Sequence, residues 1–258
     1  MRIIILTSTL SGTAAHHLPY LVNNKNIEIA LVVYCKRKTL NKKKYYKRKI
    51  SKMFKIGILG TLNGIRMRKW FNRYVSEYIE FHNIIAVCDE HKIPVRMVDT
   101  INSQETISIF KDAQADVGIS LGNGYISSKV YSIPKYGMIN IHHELLPEYQ
   151  NAPSVIWQIY NKSKYTGYTI HKIDKKIDAG DILYREKIPI TFKESLPRTV
   201  AATKAQLYEH SVQGLNTVLS DFDKYYSRAI SQGNGSQYTT PSLSQYIRIL
   251  KNHSILKK

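Results

Sequence analysis

Three polar residues in the second half of the chain have the types and the spacing that carbonyl chemistry needs. Asn140 and His142 are two positions apart, so on a β-strand their side chains point to the same face. Asp178 follows after a stretch long enough for a helix and a returning strand. An amide can donate to an oxygen that becomes negative, and an imidazole beside a carboxylate can move a proton. We therefore expect these residues to form a site that stabilises an oxyanion and transfers a proton.

The immediate neighbours of these residues have plainer interpretations. Gly180 comes two positions after Asp178, and a glycine there allows a tight turn that aims the carboxylate into a pocket. His143 points to the face opposite His142. We expect His143 to be a packed or surface histidine without a role in the chemistry.

Alternating strand and helix patterns predict a sheet that positions these residues. Segments rich in Ile and Val alternate with segments of helical periodicity, an order typical of a parallel sheet with crossover helices. Asn140 then lies at the carboxyl end of a strand, where ligands bind in open α/β sheets. The predicted strands cover residues 2–7, 27–34, 94–99, 117–121, 137–141, 167–173 and 182–190. The predicted helices include one ending at 21 and others over 66–82, 104–113, 154–160 and 196–219.

Length and composition indicate one globular domain with a small appendage. The 258 residues can bury a sizeable core. Cys35 and Cys88 have no metal-ligand spacing and indicate two reduced thiols, as in a cytoplasmic protein. The first apolar residues are too few for a signal peptide, and no apolar run approaches the roughly 18 to 20 residues that span a bilayer. We expect a cytoplasmic protein.

Most of the net charge of +19 belongs to one segment. Residues 36–73 contain 15 Lys and Arg and no Asp or Glu, whereas the remainder is close to balanced. A solvated surface insertion is one interpretation. An anionic membrane surface is a second, because apolar residues such as Met53, Phe54 and Ile58 interleave with the bases, as in interfacial helices. Nucleic acid is a third and less favoured one, since no binding motif is present.

The second half of the chain resembles the folate-dependent formyltransferases, which include glycinamide ribonucleotide transformylase, methionyl-tRNA formyltransferase and the nucleotide-sugar N-formyltransferases. The family pattern of Asn-x-His, Leu-Leu-Pro, Gly-x-Thr-x-His and Asp-x-Gly appears in order between Asn140 and Gly180. The resemblance covers residues 1–190, most closely from 116 onwards. It implies an α/β fold with a Rossmann-like, mostly parallel sheet flanked by helices, a catalytic domain over 1–190 and a C-terminal helical extension and tail over 191–258.

The resemblance also assigns roles to individual residues. Asn140, His142 and Asp178 match the catalytic positions, and Thr169 and His171 match supporting positions that line the pocket near the aspartate. The implied formyl donor is 10-formyltetrahydrofolate, and no metal is implied. The positions matching the donor slot are Gly122, Gly124, Tyr125, Ile126, Leu145, Leu146, Pro147 and Ile177.

Departures from the family pattern concern the acceptor. Glu144 stands where the family usually has Ser, and residues 150–154 replace a common Arg-Gly-x-x-Pro arrangement. The transfer-RNA enzymes carry a β-barrel for which the residues after 190 are too few, and the glycinamide ribonucleotide enzymes lack a basic insertion. By elimination we expect the amine of a nucleotide-linked amino sugar destined for a surface polysaccharide such as lipopolysaccharide.

Other interpretations stay open at this point. They are an enzyme acting on methionyl-tRNA or glycinamide ribonucleotide, a 10-formyltetrahydrofolate hydrolase, and a nucleic-acid-binding protein on an inactive scaffold. The intact polar residues argue against the last, so a nucleic-acid partner is not expected. The helix over 196–219 and the tail after it are candidate surfaces for a homodimer.

Overall fold

A computed structural model describes residues 1–36, 42–153 and 155–258, in which seven strands form one sheet. The strands are β1 Arg2–Thr7, β2 Glu28–Cys35, β3 Val95–Val98, β4 Val117–Leu121, β5 Met138–His142, β6 Tyr165–Lys172 and β7 Ile182–Pro189. The α-helices are α1 Thr13–Val22, α2 Lys42–Tyr74, α3 Ile84–Glu90, α4 Gln104–Ala113, α5 Ser128–Tyr131, α6 Ile156–Tyr160, α7 Leu196–Ser220, α8 Phe222–Ser227 and α9 Leu243–Leu256.

The sheet is mostly parallel, in the order β3-β2-β1-β4-β5-β6-β7. The first five strands in that order run parallel, and β6 and β7 each pair antiparallel with their neighbour. Every residue of β4 is buried, and its run of apolar residues is what a central strand covered by helices on both faces requires. The predicted α/β fold with a mostly parallel sheet flanked by helices is confirmed.

The largest departure from the predicted elements lies in the basic segment, of which residues 37–41 lie outside the described residues. The structure has a long helix from Lys42 to Tyr74 with a non-helical backbone at Gly57, not a helix over 66–82. Gly60 and Gly64 do not break this helix. They let it approach the segment before α9, because a Cβ at Gly64 would overlap the side chain of Thr240. Tertiary packing therefore stabilises the helix after Gly57, although glycine is an unfavourable residue inside a helix.

The helix α7 packs into the same core as the sheet. Leu207, Leu215 and Val218 of α7 are fully buried in the cluster that contains Ile3 of β1 and Tyr168 of β6. The domain boundary at residue 190 stays a prediction, but this packing favours counting α7 with the catalytic domain.

No helix in the described part of the chain is long and apolar enough to cross a membrane. Cys35 and Cys88 are buried and are not joined in a disulfide, and burial raises the pKa of the Cys88 thiol to about 11. A thiol with that pKa stays protonated at neutral pH and is a poor nucleophile.

Candidate active site

The carboxyl end of β5 carries Asn140 and His142, and the antiparallel strand β6 supplies their neighbour. In the register of these two strands, Asn140 lies opposite His171 and His142 lies opposite Thr169. Asp178 comes from the loop between β6 and β7 and reaches the same place, with its carboxylate beside both imidazoles. The structure thus brings the three residues singled out from the sequence together with His171.

The imidazole of His171 fixes the orientation of the Asn140 amide. Its Nδ1 donates to the carbonyl oxygen of Lys172 at 2.8 Å, so Nδ1 carries the hydrogen. Burial lowers the pKa of His171 to about 4, although Asp178 opposes the shift, so the ring is neutral at pH 7. Its Nε2 is then an acceptor and takes a hydrogen bond from Asn140 Nδ2 at 3.2 Å. Asn140 must therefore present its NH2 group, which leaves a second N–H for an oxygen of a bound substrate.

His142 and Asp178 form the proton-transfer half of the site. Nε2 of His142 lies 3.0 Å from the carbonyl oxygen of Tyr149, which can only accept, so Nε2 carries a hydrogen. Nδ1 of His142 lies 3.7 Å from Asp178 Oδ2, which is too long for a hydrogen bond. At this distance the imidazole and the carboxylate can share a water molecule, and Nδ1 is available to take up a proton. The backbone N–H of Asn151 donates to the same Asp178 oxygen at 3.0 Å and holds the carboxylate in position.

The loop that carries Asp178 is shaped by a close backbone approach. Asp178 itself has a left-handed backbone with φ of 53°, a conformation that Asp tolerates better than most residues. Gly180 is needed for a different reason than the tight turn expected from the sequence. A Cβ at Gly180 would overlap the carbonyl oxygen of Lys172, so only glycine lets this loop lie against β6.

A cavity of ≈ 400 Å³ opens at these groups. Most of the residues expected to form the site line it. They are Gly122, Gly124, Tyr125, Ile126, Asn140, His142, His171, Ile177 and Asp178.

Four of the expected residues do not line this cavity, and they shape the turn after β5 instead. Thr169 donates to the carbonyl oxygen of Glu144 at 2.8 Å and accepts from the backbone N–H of Leu146 at 3.0 Å. Leu146 is fully buried, and Leu145 packs against Gly167 of β6. Pro147 uses its carbonyl oxygen to accept from the backbone of Ser236. These residues hold the strand end that carries His142.

Two asparagines of the cavity wall hold loops in place. Asn123 lies in the stretch 122–126 that matches the donor slot, whereas Asn151 was not predicted as a site residue. Asn123 donates to the carbonyl oxygen of Leu6 at 2.5 Å and accepts from Ser8 Oγ at 2.7 Å, so it ties the loop after β4 to the end of β1. Asn151 contacts Asp178 through its backbone and donates from its side chain to the carbonyl oxygen of Tyr238. The only sequence signal was that Asn151 lies in the stretch that departs from the family pattern.

Glu144, the other departure, lies in the protein interior. Its carboxylate accepts from the backbone N–H of Val155 at 2.9 Å and from the side chain of Gln158. Val155 has φ of 72°, an unfavourable value for a β-branched residue, and this hydrogen bond helps to hold it at the start of α6. Burial lowers the pKa of the nearby Lys204, and the Glu144 carboxylate opposes that shift.

A second cavity, of ≈ 520 Å³, adjoins the first and shares Asn151 and Ala152 with it. Its other walls come from α2, α6, α7 and the segment before α9, and they include Trp70, Lys204 and Lys52. The ammonium group of Lys52 donates to Thr240 at 2.7 Å. The two cavities together offer a path from a cationic, partly aromatic chamber to the polar site.

Within the residues that the structure describes, no group of three or more His, Cys, Asp or Glu side chains is arranged to hold a metal ion.

Comparisons with known proteins agree with the fold. A formyl transferase family model matches residues 1–215. The methionyl-tRNA formyltransferase of Thermotoga maritima is 33% identical over 129 residues, which cover 48% of this chain and 41% of that protein. The chain thus aligns with less than half the length of that curated relative.

Solved structures share the fold at low sequence identity. The phosphoribosylglycinamide formyltransferase of Bacillus halodurans is 21% identical with a TM-score of 0.56, and the match covers 88% of this chain and 99% of that one. The N-formyltransferase of Helicobacter canadensis, solved in complex with folinic acid and dTDP-3-aminofucose, is 16% identical with a TM-score of 0.56. That match covers 99% of this chain and 81% of that one.

Proposed function

The chain belongs to the formyl transferase family, and on that premise we propose that it transfers a formyl group from 10-formyltetrahydrofolate to the primary amine of a nucleotide-linked amino sugar. The observation that carries the proposal is the arrangement of Asn140, His142, His171 and Asp178 around one cavity. It combines an oriented amide donor with an imidazole and carboxylate pair, which is what acyl transfer to an amine needs.

Asn140 and His142 have separate roles in the proposed reaction. The donor supplies a formyl carbon bonded to nitrogen, and the acceptor amine forms a new bond to that carbon as the old one breaks. Asn140 donates its second N–H to the formyl oxygen as negative charge develops there. Asp178 accepts the proton that the attacking amine loses, directly or through water. Nδ1 of His142 takes that proton from Asp178 and passes it to the nitrogen that leaves.

The first cavity has features that suit the donor. Tyr125 and Ile177 are 56% and 55% exposed, so they can cover the faces of a flat ring system. Gly122 has φ of 78°, which turns the backbone after β4 and leaves its amides beside the cavity. Apolar walls with backbone donors at one edge are what a pteridine requires.

The second cavity supports the choice of acceptor. Lys52 and Lys204 supply positive charge for a diphosphate, and Trp70 supplies an aromatic face for a nucleobase. Because this cavity joins the first at Asn151 and Ala152, a bound nucleotide could direct an amino sugar towards Asp178. A solved relative of the same fold holds dTDP-3-aminofucose, which agrees with this choice. The formylated sugar would then enter a surface polysaccharide such as lipopolysaccharide.

A second candidate acceptor is methionyl-tRNA, because several curated relatives are methionyl-tRNA formyltransferases. A cytoplasmic location and a homodimer stay predictions. The helix α7 buries most of its apolar side chains inside the chain's own core, so it offers little surface for a second copy.

The test is release of tetrahydrofolate from 10-formyltetrahydrofolate in the presence of different amines. The panel contains nucleotide-linked amino sugars, methionyl-tRNA and glycinamide ribonucleotide, with water alone as the control. We expect release that depends on one nucleotide-linked amino sugar. Release that depends on methionyl-tRNA, or that proceeds with water alone, would contradict the proposed acceptor.

A further inference from the structure

The helix α2 exposes a second apolar stripe in addition to the one that it buries. After Gly57 it turns Gly60, Asn63 and Trp70 inward. The opposite side carries four aliphatic residues that are each more than half exposed. They are Ile58 at 67%, Leu59 at 59%, Leu62 at 58% and Ile65 at 51%.

The part of α2 before the kink at Gly57 also exposes apolar side chains. Tyr46, Ile50 and Phe54 follow one another at four-residue intervals and are 60%, 51% and 80% exposed. Residues at this spacing lie on one side of a helix. Single exposed apolar residues are ordinary on a protein surface, but seven within the 33 residues of α2, three before the kink at Gly57 and four after it, mark an interaction surface.

The charge of α2 indicates what kind of partner fits. Residues 42–74 contain twelve Lys or Arg and no Asp or Glu. Exposed bases such as Lys47, Lys55 and Lys69 lie among the apolar side chains. A second copy would bring like charges together, and aliphatic side chains offer little to a nucleic acid. A partner surface that is both apolar and anionic would contact the aliphatic side chains and the bases together.

A neighbouring helix repeats the pattern. On α9, Leu243, Ile247 and Leu250 are exposed at helical spacing, and the chain has no Asp or Glu after Asp223. α9 packs beside α2, where Tyr246 lies against Trp70 with ring centroids 5.9 Å apart.

We propose that α2 and α9 dock on the surface of an anionic lipid bilayer. The aliphatic side chains enter the boundary between headgroups and acyl chains, and the bases contact the anionic headgroups. Trp70 and Lys52 of α2 also line the second cavity, so docking would hold that chamber close to the bilayer.

The experiment is flotation of the protein with vesicles of phosphatidylcholine alone or mixed with phosphatidylglycerol. We expect binding to the mixed vesicles only, and we expect it to weaken as the salt concentration rises. Phe54→Ser, Ile58→Ser and Leu62→Ser combined should reduce binding at least about tenfold, since they remove three side chains that enter the interface. Ile230→Ser is the matched control, because Ile230 is 69% exposed and belongs to neither helix.

Three results would overturn the proposal. They are no binding to the mixed vesicles, equal binding by the triple variant, and a dimer in the ultracentrifuge that the triple variant abolishes. The last result would assign the surface to a second copy. The vesicle assay requires no turnover, so its outcome is independent of the proposed reaction. Turnover with a water-soluble acceptor should be unchanged in the triple variant, because none of the three side chains lines either cavity.

Discussion

Replacing Asp178 by Asn isolates the charge and proton affinity of this carboxylate from its shape. Asn has nearly the same size, tolerates the left-handed backbone at φ of 53°, and can still accept the hydrogen bond from Asn151 through its amide oxygen. The loop should therefore keep its conformation. What is lost is a carboxylate base whose Oδ2 lies 3.7 Å from Nδ1 of His142.

The expected loss follows from the role of a positioned base. General base catalysis typically contributes about 10²- to 10⁴-fold, which corresponds to roughly 3 to 5 kcal/mol of transition-state stabilisation. We expect kcat for formyl transfer to fall by that factor, while the Kd for a non-reactive folate changes less than about threefold. Stopped assays of tetrahydrofolate release give kcat, and quenching of intrinsic fluorescence gives the Kd.

A matched variant controls for the loss of a negative charge in the same loop. Asp181 is 41% exposed and pairs with Lys172 at 3.3 Å, so Asp181→Asn removes only a surface ion pair worth under about 1 kcal/mol. We expect its kcat to stay close to that of the unmodified protein. If Asp178→Asn retained turnover within about threefold of the Asp181→Asn level, the proton-transfer role derived from the geometry would be refuted.

Three further predictions concern the loop that carries Asp178, the buried His17 and the second cavity. Gly180→Ala should lower both the melting temperature and kcat, because the added methyl group displaces the loop of Asp178. Gly233→Ala should change neither, since nothing lies within 4 Å of a Cβ there. Equal effects in the two variants would contradict the structural role given to Gly180. Burial lowers the pKa of His17 from 6.5 to about 3, so the unfolded chain binds a proton that the folded chain does not as pH falls through that range. His17 should therefore lower the free energy of unfolding by up to about 1.4 kcal/mol for each unit that the pH falls. Urea titrations at several pH values should show that His17→Gln removes this contribution to the pH dependence. An unchanged pH dependence in the variant would contradict the prediction. Lys52→Met should raise KM for a nucleotide-linked acceptor about tenfold and leave KM for the donor unchanged in steady-state kinetics. Equal changes in the two KM values would contradict a role for Lys52 in binding the acceptor in the second cavity.

Local patterns were sufficient for the sheet, whereas most of the candidate site was predicted from the resemblance to a family. Buried β-branched runs predicted the strands because a central strand must be apolar on both faces, and β1 and β4 were predicted with the same bounds that the structure has. Asn140 and His142 could be paired from sequence because alternation along a strand fixes which side chains share a face. The position of His171 opposite Asn140 depends on antiparallel pairing of β5 and β6, which was not predicted; the resemblance placed His171 only near the aspartate.

Features that depend on contacts between distant segments were not predictable. Leu145, Leu146 and Pro147 follow β5 directly in sequence, but hydrogen bonds from Thr169 direct their turn away from the first cavity. The helix α2 was missed over most of its length, in part because the residues after Gly57 pack against α7 and α9, a contact that the local sequence does not reveal. The sequence showed that apolar residues interleave with its bases, but only the structure shows which of them are exposed.

The most direct test of the central claim is to follow a labelled formyl carbon from 10-formyltetrahydrofolate into the acceptor by mass spectrometry. The unmodified protein should yield a nucleotide-linked sugar that carries the label in an amide on its amino group. The Asn140→Ala variant should yield less by at least about a hundredfold, as loss of an oxyanion donor predicts. Label recovered only as free formate, or equal product from the Asn140→Ala variant, would contradict the account.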